Sequence, residues 1–129
     1  MTYVQAISTH LPPYRYSTEH ITKAAGEWLS NSPSERALFE RLASSTKIEN
    51  RAFGLPIEEL LALRGQGERS KIFIEVGTSL LTEVVKKGLS AARASAEDVT
   101  ALIMTSCSVP SIPSIDTRAI GQIGIPATV

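Results

Sequence analysis

Cys107 is the one thiol in the chain, and a thiol is the strongest nucleophile this sequence offers. It lies in Thr105-Ser106-Cys107-Ser108-Val109-Pro110, a stretch rich in hydroxyls. A catalytic cysteine acts as its thiolate, which calls for a nearby His or Lys or a helix N-terminus to lower its pKa. No His or Lys is close to Cys107 in sequence, so these residues alone argue against a reactive role and for a small apolar one. His10 and His20 are isolated, with no Cys or carboxylate at metal-ligand spacing, and both read as surface or helix-end residues. Gly65-Gln66-Gly67 lacks the third glycine and the feeding strand of a phosphate-binding fingerprint. The sequence therefore implies no metal and no resident cofactor.

Composition narrows the classes further. At 129 residues the chain suits a single domain spanning 1–129, with enough interior for one hydrophobic core. Hydrophobic residues make up 43% and charged residues 20%, the balance of a globular protein rather than a disordered one. Lys plus Arg is 13 and Asp plus Glu is 13, so the basic excess of a nucleic-acid binder is absent. Net charge does not exclude a local basic patch. A single cysteine cannot form an internal disulfide. Residues 1–20 lack the basic start and apolar stretch of a signal peptide, and no apolar run approaches the roughly 20 residues that span a bilayer. The expectation is a cytoplasmic protein without nucleic-acid or membrane partners.

The elements that must position these residues follow from periodicity. Residues 3–8 alternate apolar and polar as in a strand, and His10 to Tyr16, with Pro12 and Pro13, reads as a loop. Ser17 or Thr18 caps a helix whose face carries Ile21, Ala24, Ala25, Trp28 and Leu29, with Trp28 as core. Ser32-Pro33-Ser34-Glu35 predicts a second helix start, with Pro at the first position and Glu reaching back to the cap, and that helix runs to about Ser45. Glu49 to Gly54 is a short extended piece, Pro56 starts a short helix, and 64–67 is a loop. A long helix covers about Glu68 to Ala92. Phe73, Val76, Leu80 and Val84 form one stripe on it, and Leu81, Val85 and Leu89 an adjacent one. Gly77, Gly88, Ala91 and Ala92 are small enough for close packing, and Glu83 and Lys87 sit at i,i+4. Ser95 to Asp98 is a capped single turn. Ala101 to Met104 is a short continuous apolar run, as in a strand buried on both faces. Thr105 to Ser114 is a loop at that strand's end, and Asp116 to Gly121 begins a helix capped by Ser114. The order implies an α/β fold with a buried sheet, whose ligands sit beyond the C-terminal ends of the strands, at the Thr105–Ser114 loop.

Several segments resemble the type III polyketide synthases, the chalcone and stilbene synthase family. They are Arg41-Leu42 through Ile48-Glu49-Asn50-Arg51, Leu55-Pro56-Ile57-Glu58-Glu59-Leu60, Gly65 to Arg69, Ser95-Ala96-Glu97-Asp98-Val99, Thr105-Ser106-Cys107 and Pro113-Ser114-Ile115-Asp116. The similarity runs through nearly the whole chain, and its weight lies in the order and spacing of these segments. The resemblance implies the first part of a thiolase-like αβαβα subunit and a homodimer. It implies an acyltransferase that loads a starter from an acyl-CoA onto a cysteine and extends it with malonyl-CoA by decarboxylative condensation. In the family that cysteine follows the segment matching Gly121 to Pro126, with the His and Asn later still, so none of the three is expected within this chain. Cys107 comes too early to be the nucleophile, and the chain alone is expected to be inactive.

Residue by residue, the resemblance places Cys107 and Ser108 in the wall of the substrate cavity, and Ile112 in that wall or toward the partner subunit. Where relatives often have Thr-Gly, this chain has Ser108-Val109 followed by Pro110, which removes backbone freedom and alters the cavity. Arg41 matches a basic residue that contacts the phosphates of coenzyme A, a pairing suited to a guanidinium. Its two companion basic positions are Leu38 and Ser45 here, with Arg36 and Lys47 as possible replacements. Arg51 implies a structural role such as a salt bridge. Two other readings stay open: a ketoacyl-ACP synthase III-like condensing enzyme, and a non-catalytic binding or assembly module. The Pro113 to Asp116 segment favours the polyketide synthase over the first. Continuation of the reading frame past Val129 into a Gly-Cys-x-Gly-Gly-like segment would separate both enzymes from the second.

Overall fold

In the computed structural model, residues 2–29, 32–63, 65–106 and 111–128 are described. The chain is of the α/β class, with elements in the order β1 (Tyr14–Ser17), α1 (Thr18–Trp28), α2 (Pro33–Ser45), β2 (Asn50–Phe53), α3 (Ile57–Ala62), α4 (Gln66–Ala92), a 3-10 turn (Ala96–Asp98) and α5 (Ile115–Ile123). It divides into two compact units. One comprises 1–11 with 65–129, and the other 12–64. Among the described residues, no helix is long and apolar enough to cross a membrane.

The 12–64 unit is built on an antiparallel pair. β1 and β2 align Tyr14 with Phe53 and Ser17 with Asn50. A strand thus occupies part of the stretch expected to be a loop. Tyr14-Arg15-Tyr16 lies past the two prolines and is free to pair, and β2 supplies the partner within the expected extended piece. Ser17 then caps α1, its hydroxyl accepting from His20 N at 3.1 Å. The Thr18 N–H donates to Glu49 O at 2.8 Å and its hydroxyl to Ile48 O, which ties the helix start to the strand entry. Tyr16 joins the remaining pieces. Its hydroxyl accepts from Ile57 N at 3.2 Å, satisfying an orphan donor at the start of α3, and its ring stacks on His20 with centroids 5.0 Å apart. Ile57 beneath it is buried.

α2 begins at Pro33 after Ser32, as the sequence motif requires, but the Ser32 side chain makes no cap hydrogen bond. No residue of α2 is buried. Arg36 pairs with Glu40 at 2.9 Å and also lies over Gly26 of α1, where an added Cβ would meet Arg36 Nε at 3.1 Å. Trp28, expected in the core, is 57% exposed. It is the last residue of α1, where few neighbouring elements remain to cover a large ring.

The other unit is held by α4 against α5. Ile115, Ala119, Ile123 and Ile125 are buried, and Leu81, Val85 and Leu89 of α4 pack against the cluster of Ala119, Ile123 and Ile125 together with Val99, Leu102 and Ile120. Each buried isoleucine contributes about 1.5–3 kcal/mol of transfer free energy. The second sequence-predicted stripe of α4 is therefore the one that meets α5. Gly77 lies against Ile115, since a Cβ there would come within 2.8 Å of Ile115 Cδ1. Two threonines share the seam: Thr78 donates to Ile74 O at 2.6 Å, and Thr82 to Gln122 Oε1 at 3.3 Å. α5 stops at Gly124, whose φ of 87° favours a glycine and turns Ile125 back into the cluster.

The capped turn at 95–98 forms as expected. The Asp98 carboxylate accepts from the Ser95 N–H and the Ser95 hydroxyl, each at 2.8 Å. Those bonds, the backbone one foremost, hold Asp98 below the usual carboxylate range.

Two expected strands do not form. Residues 3–8 have no ladder partner among the described residues. Their polar side chains bond instead to α4: Gln5 Nε2 donates to Ala92 O at 2.7 Å and Ser8 Oγ to Val84 O at 2.8 Å. His10 Nδ1 lies 2.8 Å from Lys87 Nζ, so Lys87 reaches this segment. Residues 101–104 are likewise unpaired, and burial alternates, with Leu102 and Met104 half-buried and Ile103 88% exposed. The expectation of burial on both faces is corrected: one face rests on the α4–α5 cluster, and no described residue covers the other. A strand also needs a neighbour to take its backbone hydrogen bonds, and among the described residues none does so here.

The seam sets a measurable requirement. Gly77→Leu forces a branched side chain into the space of Ile115 and is expected to cost about 1–3 kcal/mol. That cost lowers the chemical-denaturation midpoint, whereas Gly67→Leu, at a position with nothing within 4 Å, leaves it lowered by far less. Equal midpoints for the two variants would refute the close approach.

Candidate functional site

The described residues among those singled out for chemistry fall on two surfaces, one in each unit. The first is the approach to α5. Cys107 and Ser108 lie outside the described residues. Ile112, which follows them, is 98% exposed. It projects from a segment anchored on both sides: Pro113 O accepts from Ser111 Oγ at 2.8 Å and from Arg118 Nε at 3.1 Å. Ile115, immediately after, is buried in the seam with Gly77. The chain thus passes from a fully exposed isoleucine to a buried one within three residues.

Ser114 is the N-cap residue of α5, as expected, although its hydroxyl meets Thr117 Oγ1 at 3.0 Å rather than a backbone amide. Asp116 follows in the first turn, where the helix dipole favours a negative charge. The Ser114 hydroxyl holds the Asp116 carboxyl below the usual carboxylate range, against a smaller opposing effect of burial. Asp116 Oδ1 is buried and has no hydrogen-bond partner among the described residues. Sequence reading used Asp116 only as part of a motif and missed Arg118 altogether. The spacing from Pro113 to Arg118 carries no signal until α5 turns the guanidinium back toward the preceding carbonyl. Beside them, a groove of about 560 Å³ between α4 and α5 is lined by Ile74, Glu75, Thr78, Ser79, Arg118 and Gln122.

The second surface is α2, in the 12–64 unit. Arg41 is exposed there, and Leu38 and Leu42 are 45% and 55% exposed. Arg36, a candidate replacement for the missing basic positions, is committed to Glu40 and to the packing over Gly26. Lys47 takes a left-handed backbone conformation, with φ of 54°, just after the helix. Arg51 lies in β2 opposite Tyr16, and its Nη2 donates to Thr46 Oγ1 at 3.3 Å, so it braces the α2–β2 connection through a hydroxyl. Among the described residues, no three His, Cys, Asp or Glu side chains converge as a metal site would require.

No family model matches the chain. Individual relatives do. The chain is 33% identical over 128 residues to 1,3,6,8-tetrahydroxynaphthalene synthase of Streptomyces peucetius subsp. caesius, covering 99% of this chain and 34% of that protein. Phloroglucinol synthase of Pseudomonas fluorescens is 25% identical over 92 residues, 71% of this chain and 26% of that one. In structure, the chain superimposes on the crystal structure of 1,3,6,8-tetrahydroxynaphthalene synthase from Streptomyces coelicolor, a bacterial type III polyketide synthase, with a TM-score of 0.79 and 26% identity. This chain resembles the type III polyketide synthases in sequence and in fold. The superposition covers 94% of this chain and 34% of that one. PKS-I of the brown alga Ectocarpus siliculosus shares the fold, with a TM-score of 0.78 over 98% of this chain and 37% of that one, at 19% identity. The chain thus spans about a third or less of the length of the curated relatives it matches.

The electrostatics at α5 yield a pH dependence. A carboxyl whose folded pKa is depressed contributes stability that is present above its unfolded pKa and is lost as pH falls through the folded one. Asp116 should therefore titrate below an ordinary aspartate when followed by its carboxyl carbon resonance. Ser114→Ala is expected to raise that midpoint toward the ordinary range and to move the acid loss of α5 to higher pH. An unchanged Asp116 midpoint in Ser114→Ala would show that the hydroxyl is not the cause.

Proposed function

We propose that this chain is the N-terminal part of a type III polyketide synthase that condenses malonyl-CoA with an acyl-CoA starter. The observation that carries the reading is the run of 33% identity across 99% of the chain to a synthase of that kind. The TM-score of 0.79 to a type III polyketide synthase adds independent support from the fold. Both curated relatives are named for polyhydroxylated aromatic products. That favours a product of the same chemical kind.

In this reading a cysteine thiolate attacks the acyl-CoA carbonyl and coenzyme A departs as its thiol. Malonyl-CoA then loses carbon dioxide, and the resulting enolate carbon attacks the acyl-cysteine carbonyl, extending the chain by two carbons and releasing the cysteine. Those steps require a nucleophile, an enolate-stabilising His and an oxyanion-stabilising Asn, and in this reading no residue of this chain takes those roles. The part proposed for this chain is to bind and shape. Arg41, exposed on α2, meets the phosphates of coenzyme A as a charge-assisted, bidentate donor. Cys107 and Ser108 form part of the cavity wall. Ile112 extends to the seam between two subunits of a homodimer, a role compatible with its near-complete exposure. The water-soluble thioester substrates of this reading suit an enzyme of the cytoplasm.

The reading makes two demands. In the full-length enzyme, Cys107→Phe and Ser108→Phe should alter starter choice or product length, read by mass spectrometry of the products, with little change in thermal midpoint. An unchanged product profile in both variants would remove these residues from the cavity wall. The 129-residue chain alone should neither release carbon dioxide from malonyl-CoA nor form polyketide. Turnover by the purified chain above buffer, and above its own Cys107→Ala variant, would overturn that expectation.

A further inference from the structure

We infer that Arg118 is a positioning residue of the synthase: through the carbonyl of Pro113 it fixes where Ile112 stands, and so tunes which starter and which product length are accepted. The inference rests on the polyketide synthase reading, in which Ile112 lies at the cavity wall or the subunit seam. It starts from one residue that holds two consecutive carbonyls. The Arg118 N–H donates to Ser114 O at 3.2 Å, and its Nε donates to Pro113 O at 3.1 Å. Those carbonyls belong to the peptide planes on either side of Ser114, so both planes at the entry to α5 are fixed by one side chain and its own backbone. Pro113 O precedes the N-cap and lies outside the helical ladder. The Ser111 hydroxyl donates to the same oxygen at 2.8 Å. Both lone pairs of that carbonyl are thus engaged, and the residues on either side of Ile112 are tied together at one atom.

The partner that Arg118 takes is informative. A guanidinium commonly pairs with a carboxylate, often through two parallel bonds. Glu75 lines the same groove as Arg118, and Asp116 lies two residues before it. Among the described residues Arg118 nevertheless makes no ion pair, and its side chain bonds to backbone. That is the arrangement of a brace. Its effect falls on Ile112, which is 98% exposed, while Ile115, three residues on, is 4% exposed against Gly77. Apolar surface left in water is unfavourable, and a loose segment would relieve that by laying the isoleucine on its surroundings. A segment closed at Pro113 O and anchored by Ile115 holds it outward instead. A side chain so presented has a fixed place, and a misplacement of about 1 Å in a positioning element can cost about 100-fold in rate.

The test separates the donor from the charge. The amide Nε2 of Gln stands at the same place along the side chain as Nε of Arg, and it donates without charge. Met has the same reach and no donor. Both are good helix formers, so neither weakens α5 by propensity. In the full-length enzyme, Arg118→Met is expected to change the ratio of products, or the KM for one starter against another, about tenfold, with the thermal midpoint unchanged. Arg118→Gln should keep the wild-type ratio. A residue that only stabilises α5 would lower the midpoint and the total turnover and leave the ratio alone. A second measurement needs no catalysis: in the 129-residue chain, the Ile112 methyl resonances should move in Arg118→Met and return in Arg118→Gln. A full-length wild-type protein that forms no polyketide, while Ile112 still responds to Arg118, would remove the synthase reading and the selectivity role with it, leaving the clamp. Equal product ratios in wild type and Arg118→Met, a change that Arg118→Gln shares, or Ile112 resonances that ignore Arg118→Met would overturn the inference itself.

Discussion

The closeness of α4 to α5 at Gly77 is the constraint on which the larger unit depends. Glycine in a helix interior costs about 1 kcal/mol relative to alanine, and here the missing Cβ is what admits Ile115. With Ile115 seated, Ala119 and Ile123 fall on the same face of α5, one and two turns on, and reach Leu81, Val85 and Leu89. Thr78 and Thr82 can be buried in this seam because each hydroxyl has a partner, one in its own helix and one in Gln122. Seating Ile115 also fixes where the preceding residues emerge. Arg118 can then hold Pro113 O, and Ile112 is left on the outside. The conformation at the candidate site is thus a consequence of helix packing several residues away.

The 12–64 unit is held differently. Its anchor is Tyr16, whose hydroxyl and ring connect β1, α1 and α3. α2 contributes no buried residue and is retained through Arg36 over Gly26, with Glu40 steadying the guanidinium. That arrangement uses one of the cations that sequence comparison offered as a phosphate contact, and it leaves Arg41 exposed. A long basic side chain can serve packing as well as charge, and only its neighbours decide which.

The helices were legible in the sequence because their signals are local. Ser17, Ser32-Pro33 and Ser95 with Asp98 mark starts whose sequence signal lies within one turn, even though Ser32 makes no side-chain cap bond, and the 3.6-residue spacing of Leu81, Val85 and Leu89 names the buried face of α4 without reference to any other element. The end of α5 at Gly124, whose backbone is left-handed, was not read from the sequence. The resemblance to the type III polyketide synthases was equally readable, being carried by the order of short segments along the chain.

What the tertiary structure alone decided is partnership. Residues 3–8 and 101–104 have the composition of strands, but a strand exists only when another backbone takes its hydrogen bonds, and no local spacing specifies that partner. Tyr14 to Ser17 became a strand for the converse reason: Asn50 to Phe53, more than thirty residues away, lies alongside it. Trp28 has every local mark of a core residue and stands half in solvent, because burial depends on what covers α1 at its end. The same holds for Arg118 and Asp116, whose roles depend on a helix N-terminus meeting a particular carbonyl and a particular hydroxyl. Periodicity and capping are properties of one segment and are written in it. Pairing, coverage and side-chain contact belong to two segments at once, and they are settled only when the chain has folded.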